Sequence, residues 1–193
     1  MGDSQKDQIL GPDQRLRGCD PKPAAASSLP KIRRVLLTHN RRVQVVHRGN
    51  EVASVHDVAN YIIGKLGPTS AMKLEKLVYY SQAWSLVWEG RPLFGARIEA
   101  WASGPVVREL YRNHRGEFSI TSWPYGNGSR LAAKERETVD AVLKFYGDKS
   151  PFWLSELTHS EAPWIDARRG LAPGERGANE ITLAAMAEYY SSL

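Results

Sequence analysis

The sequence predicts a mainly α protein: a compact multi-helix domain with at most a small β element, preceded by a poorly ordered, basic N-terminal leader. Three observations carry this. Apolar residues recur at helical spacing in one segment after another from position 55 onward. Those segments are bounded by Ser, Gly and Pro where helices start and stop. All six Trp, eight Tyr and four Phe lie beyond position 50.

The division near position 50 also appears in the charge. Residues 1–50 hold ten Lys/Arg against four Asp, a net +6, whereas residues 51–193 hold 16 basic against 17 acidic residues, a net −1. The leader's Pro21-Lys22-Pro23-Ala24-Ala25-Ala26-Ser27-Ser28 is linker-like. Val35-Leu36-Leu37 and Val43-Gln44-Val45-Val46 are β-branched runs that could pair as a short hairpin or dock on the body. A start placed too far upstream is a third reading, and the sequence leaves all three open. The body is expected over 51–193.

In the body, Val55, Val58, Ala59, Ile62, Ile63 and Leu66 form one helical stripe. Ser54 with Asp57 reads as a capping box at its start, and Gly67-Pro68 stops it. Thr69 or Ser70 caps a second helix to Glu89, with Leu74, Leu77, Val78, Ser81, Trp84 and Trp88 on its apolar face and Gly90 at its end. Arg91–Gly95 reads as a loop and Arg97–Trp101 as extended chain. Ser103 or Gly104 then caps a third helix with Pro105 at its first position, where a missing N–H is harmless. Phe118–Trp123 suits a strand, and Tyr125–Ser129 a turn. Leu131–Tyr146 is a fourth helix, Ser150-Pro151 opens a fifth, Pro163-Trp164 a short sixth, and Ile181–Tyr190 is the last.

Composition and motifs exclude several kinds of chemistry. No apolar run approaches the roughly 18 residues of a membrane span, and no signal-peptide pattern is visible, so a cytoplasmic location is expected. The single Cys19 excludes an internal disulfide and any zinc site that needs two thiolates. His39, His47, His56, His114 and His159 include no pair at the i, i+3 or i, i+4 spacing of a helical metal site. His159-Ser160-Glu161 is half of a zinc deaminase signature whose cysteine half is missing. No Gly-x-Ser-x-Gly elbow and no phosphate loop is present. No catalytic residue, metal or cofactor is expected, and the chain does not read as an enzyme. Lys31, Arg33, Arg34, Arg41, Arg42 and Arg48 read first as a solvated tail and second as a phosphate-binding arm; no aromatic residue is interleaved with them for base stacking.

Three segments carry a family resemblance. Met72-Lys73-Leu74-Glu75-Lys76-Leu77-Val78-Tyr79-Tyr80-Ser81-Gln82-Ala83-Trp84 resembles the first signature of the Panacea, or SocA-like, antitoxin domain, known in phages as the phage-associated protein GepA. Pro92-Leu93-Phe94 with Ile98–Trp101 and Gly104-Pro105-Val106-Val107 through Leu110-Tyr111 resembles the second, and Leu157–Trp164 the third. The order and spacing agree from about Val55 to Tyr190, leaving the leader uncovered.

The resemblance implies the antitoxin of a type II toxin–antitoxin pair, silencing by direct contact a protein toxin encoded by the adjacent gene. It also implies an alternative, an adaptor that delivers the toxin to a cytosolic protease. A DNA-binding regulator acting through the basic leader is a further alternative. The resemblance places Lys76, Gln82, Gly104, Pro105, His159 and Trp164 at signature positions. As candidate toxin contacts the residues themselves offer aromatic anchors, Trp88, Trp101, Trp123 and Tyr125, and two arginines one turn apart, Arg108 and Arg112. For Trp123 and Tyr125 a core role and an interface role are equally open, and Arg108 and Arg112 read first as an ordinary solvated face and second as a toxin contact.

Overall fold

A computed structural model describes residues 53–193; the leader readings above lie outside the described residues. The helices are α1 (Val55–Leu66), α2 (Ala71–Trp88), α3 (Arg108–His114), α4 (Ala133–Tyr146), α5 (Pro151–His159), α6 (Ala162–Ala167) and α7 (Leu183–Ser191). Two two-stranded antiparallel sheets join them. One pairs β1 (Thr69–Ser70) with β4 (Ser119–Ile120), and the other pairs β2 (Ile98–Trp101) with β3 (Gly104–Val107). The mainly α architecture with small β elements is therefore as the sequence predicts.

Helix starts follow local chemistry. Ser54 Oγ accepts from Asp57 N while Asp57 Oδ2 accepts from Ser54 N, which is the reciprocal capping box. Ser70 caps α2 through Lys73 N, Ser150 caps α5 through Trp153 N, and Thr182 caps α7 through Ala185 N. Helix α4 begins at Ala133, two residues later than the apolar pattern suggests, and Glu135 accepts from Ala132 N at its start. The last helix begins at Leu183, because Ile181 N is engaged by Ile98 O beside the β2–β3 hairpin.

Helix α2 is the axis of the molecule. Its sequence suggests one apolar face, but the structure buries twelve consecutive residues, Leu74 through Ser85, because α1, α4, α5, α7 and β3 surround it. Polar side chains on such a helix need partners, since an unpaired buried group costs about 1–3 kcal/mol. Each has one. Glu75 accepts from Val107 N at 2.8 Å and meets His114 Nε2 at 2.7 Å. Lys76 Nζ donates to Pro105 O at 3.0 Å, and Ser81 Oγ donates to Leu77 O. Burial pushes the Lys76 amine down to about 8, with Glu75 opposing the shift.

Gln82 performs three tasks at once. Its Oε1 accepts from Leu93 N and Phe94 N, and its Nε2 donates to Phe94 O. Ser85 Oγ adds a bond to Arg91 O. The loop after α2 is thus folded back onto its own helix, seating Leu93 and Phe94 in the core. Replacing Gln82 by Met strands two buried amides and a carbonyl. The expected loss is about 2–3 kcal/mol, read as a lowered denaturant midpoint; an unchanged midpoint refutes this account of the loop.

The third helix requires a correction. Gly104-Pro105-Val106-Val107 does not begin it. These residues are strand β3, in register Ile98↔Val107, Glu99↔Val106, Ala100↔Pro105 and Trp101↔Gly104, and α3 starts at Arg108. A strand tolerates Pro at an edge, and β-branched Val106-Val107 suits it. The groups that β3 does not pair within its hairpin are met by α2: Lys76 takes the Pro105 carbonyl and Glu75 the Val107 amide.

Among the described residues no helix is long and apolar enough to cross a membrane.

Candidate functional site

The hairpin is held from all sides by side chains of other elements. Besides Lys76 and Glu75, Ser155 Oγ on α5 donates to Ser103 O, Trp164 Nε1 on α6 donates to Trp101 O at 2.9 Å, and Arg168 Nη1 donates to Ala100 O at 3.0 Å. On the other edge of β2, Ala100 N donates to Asn179 O. Gly104 is required at the turn. Its φ is +105°, and a Cβ there would stand 2.6 Å from Lys76 Cε and 2.9 Å from Thr158 Oγ1.

This fixed hairpin forms one wall of a cleft of about 730 Å³. The second wall is α3. Its inner face buries Leu110 and His114, so Arg108, Tyr111 and Arg112 share the opposite stripe; with Arg115, the residue just past its C-terminus, they line the cleft. The third wall is the Arg176-Gly177-Ala178 segment. Buried Arg168 positions it, donating to Ala172 O and Glu175 O. Gly177 lets it approach; a Cβ there would lie 2.5 Å from Leu171 Cδ1 and 3.1 Å from Arg168 Nη1.

Within the lining, Trp101 is set edge-to-face on Tyr111, ring centroids 4.5 Å apart. Trp101 Nε1 donates to Glu99 Oε2 at 2.8 Å, and Glu99 Oε1 stands 3.6 Å from Arg108 Nη1. Glu99 is buried and is the one acidic residue lining the cleft, against four arginines. Among the described residues Arg112, Arg115 and Arg176 pair with no carboxylate.

Three of the sequence-derived contact candidates therefore converge: Trp101, Arg108 and Arg112. The other three lie elsewhere. Trp88 is half-buried, stacked on Trp84 at 5.0 Å. Trp123 is 3% exposed and packs between His56 and Tyr125, so it is a core residue and offers no free anchor. Tyr125, 54% exposed, covers it. Sequence reasoning missed Arg115, which follows α3 three residues after Arg112, and Arg176, which reaches the cleft only through the fold, with buried Arg168 holding its segment in place.

The signature residues hold the framework. Lys76, Gly104, Pro105 and Trp164 fix the hairpin, and Gln82 fixes the loop before it. His159 ends α5 and stacks on Trp164, centroids 4.2 Å apart, with burial holding its pKa below the usual imidazole value. Glu161 is 4% exposed and buried among tyrosines: Tyr190 and Tyr80 hydroxyls both donate to its Oε2. Around them Tyr80 stacks on Tyr146 at 4.2 Å, and Tyr79 meets Tyr80 and Tyr190 edge-on. Among the described residues no group of three or more His, Cys, Asp and Glu is placed to hold a metal ion.

The motifs that build this hairpin and its supports are those of a known family. The family model described as "Antitoxin SocA-like, Panacea domain" matches residues 74–165. Residues 74–165 are similar to a Panacea domain. Over 59 residues it is 41% identical to Antitoxin SocA of Caulobacter vibrioides (strain NA1000 / CB15N), an alignment covering 28% of this chain and 31% of that protein. The chain thus spans less than a third of the curated relative it matches. No solved structure matches it. The match begins inside α2, takes in the hairpin, α3, α4 and α5, and ends inside α6.

Proposed function

We propose that this chain is the antitoxin of a type II toxin–antitoxin pair and neutralises a protein toxin encoded by the adjacent gene by binding it directly. The Panacea match supports an antitoxin role. The observation that carries the contact mechanism is the arginine-rimmed cleft, in which Trp101, Arg108 and Arg112 share one wall system built by the family's signature residues. Silencing by contact needs a surface with a few well-held anchors and no reaction chemistry. We take the functional domain as 51–193, since α1 and α7 both pack on α2 and complete its burial.

The test is co-expression of the full chain with the neighbouring gene product. Growth should be restored, and the two proteins should co-elute on size exclusion at a fixed ratio. A harmless or unbound neighbour removes the proposal. Toxin half-life, measured in the same cells with the protease active and inactive, separates contact from delivery. A half-life that shortens only with active protease selects the adaptor alternative.

A further inference from the structure

The cleft has a chemistry that the antitoxin role does not specify, and the inference drawn from it rests on that role. We propose that the cleft receives an acidic segment of the toxin, its Asp and Glu carboxylates meeting Arg112, Arg115 and Arg176 while an apolar side chain enters toward Trp101 and Tyr111.

The charge arrangement selects the occupant. Four arginines line the recess, Arg108 and Arg112 on α3, Arg115 just after it and Arg176 on the 176–178 segment, and three of the four have no carboxylate partner among the described residues. Like charges gathered around one recess raise each other's energy, and a carboxylate placed between them relieves it. Arginine meets carboxylates with two parallel N–H donors, which gives geometry as well as attraction. The surrounding body is near neutral at net −1 over 51–193, so this is a local concentration and not the background of a basic protein. The rest of the lining is different in kind: Trp101, Tyr111, Ala102 and Ala178 are places for an apolar side chain.

Other occupants fit less well. The chain's own first fifty residues carry a net +6 and would be repelled. Nucleic acid calls for a basic track along a backbone and open ring faces for stacking. Here the arginines surround a recess, and Trp101 and Tyr111 occupy one another edge-to-face.

The arginine positions are suited to substitution because Arg112, Arg115 and Arg176 are exposed and support no described core contact. The experiment uses the full chain and the intact neighbouring toxin. The triple variant Arg112→Glu, Arg115→Glu, Arg176→Glu should keep the wild-type melting temperature and circular dichroism yet lose affinity by about 100-fold or more, in the range of a disrupted interfacial charge network. Hydrogen exchange on the wild-type complex should protect a toxin segment rich in Asp and Glu, and replacing those acids with Lys should restore binding to the triple variant. A folded triple variant that binds and neutralises as wild type does, or a protected segment without carboxylates, overturns the acidic-segment assignment and leaves the antitoxin role standing. Wild-type protein that neither binds nor rescues overturns both. Binding of a single-stranded oligonucleotide that depends on the same arginines replaces the proposal with a nucleic-acid site.

Discussion

Gly104→Ala is expected to destabilise the chain by about 4 kcal/mol, the sum of two separate penalties. The first is conformational: the backbone sits at φ +105°, where an L side chain costs roughly 1–3 kcal/mol. The second is steric: the new methyl would lie 2.6 Å from Lys76 Cε, 2.8 Å from Lys76 Nζ and 2.9 Å from Thr158 Oγ1, an overpacking of roughly 1–3 kcal/mol. Lys76 cannot swing aside freely, because it is 1% exposed and its ammonium would leave the Pro105 carbonyl for no other described partner. A second substitution separates the two. In Gly104→Ala with Lys76→Ala the steric part should shrink while the backbone part persists, giving a favourable coupling in a double-mutant cycle. Additive losses in urea unfolding would show that the two residues do not meet as described.

The second large effect is a dependence on pH centred on Glu161. Burial pushes its carboxyl up to about 8, against the opposing pull of the Tyr190 and Tyr80 hydroxyls. The sign follows from proton counting. Below about pH 4.5 both folded and unfolded chains hold the proton. Between about 4.5 and 8 the folded chain keeps a proton the unfolded chain has released, so stability falls as pH rises, by up to about 1.4 kcal/mol per unit. Above about 8 both states are ionised and this contribution is flat. Glu161→Gln cannot ionise, so its stability relative to wild type should climb steadily from pH 5 to pH 8. Unfolding midpoints of both proteins at four pH values read this directly, and their difference isolates Glu161 from Lys76, whose depressed amine acts above pH 8. A difference that does not vary with pH refutes the buried-carboxyl account.

Much of the helical frame was legible because its signals are local. Ser54 with Asp57, Ser70, Gly67-Pro68 and Ser150-Pro151 each act within one turn of chain, and each sits where its chemistry requires. The misreading of Gly104-Pro105 arose where local and tertiary preferences diverge. A Gly-Pro before a Val-rich run is a sound helix start until a partner strand and two side chains of α2 claim its backbone. The all-round burial of α2 was illegible for a related reason. Lys76, Glu75 and Gln82 look solvent-facing unless the hairpin and the 91–94 loop that satisfy them are known. Trp123, in a proline-containing loop, is buried by His56 on α1, far away in sequence.

The candidate site followed the same rule. Arg108 and Arg112 were visible as a pair on one helix, and Arg115 follows α3 three residues after Arg112. Arg176 had no sequence signal. It reaches the cleft because Arg168, sixty-eight residues from Ala100, ties its segment to β2.

The hairpin is anchored by α2, α5 and α6, whereas Arg112, Arg115 and Arg176 are exposed and take no part in that anchoring, so the foundation and the proposed contact draw on separate residues. On the proposed contact, exchanging Arg112, Arg115 or Arg176 should alter which partner is bound while leaving the hairpin's supports in place. A new partner could then be met by changing side chains on the rim, with the scaffold beneath left as it is.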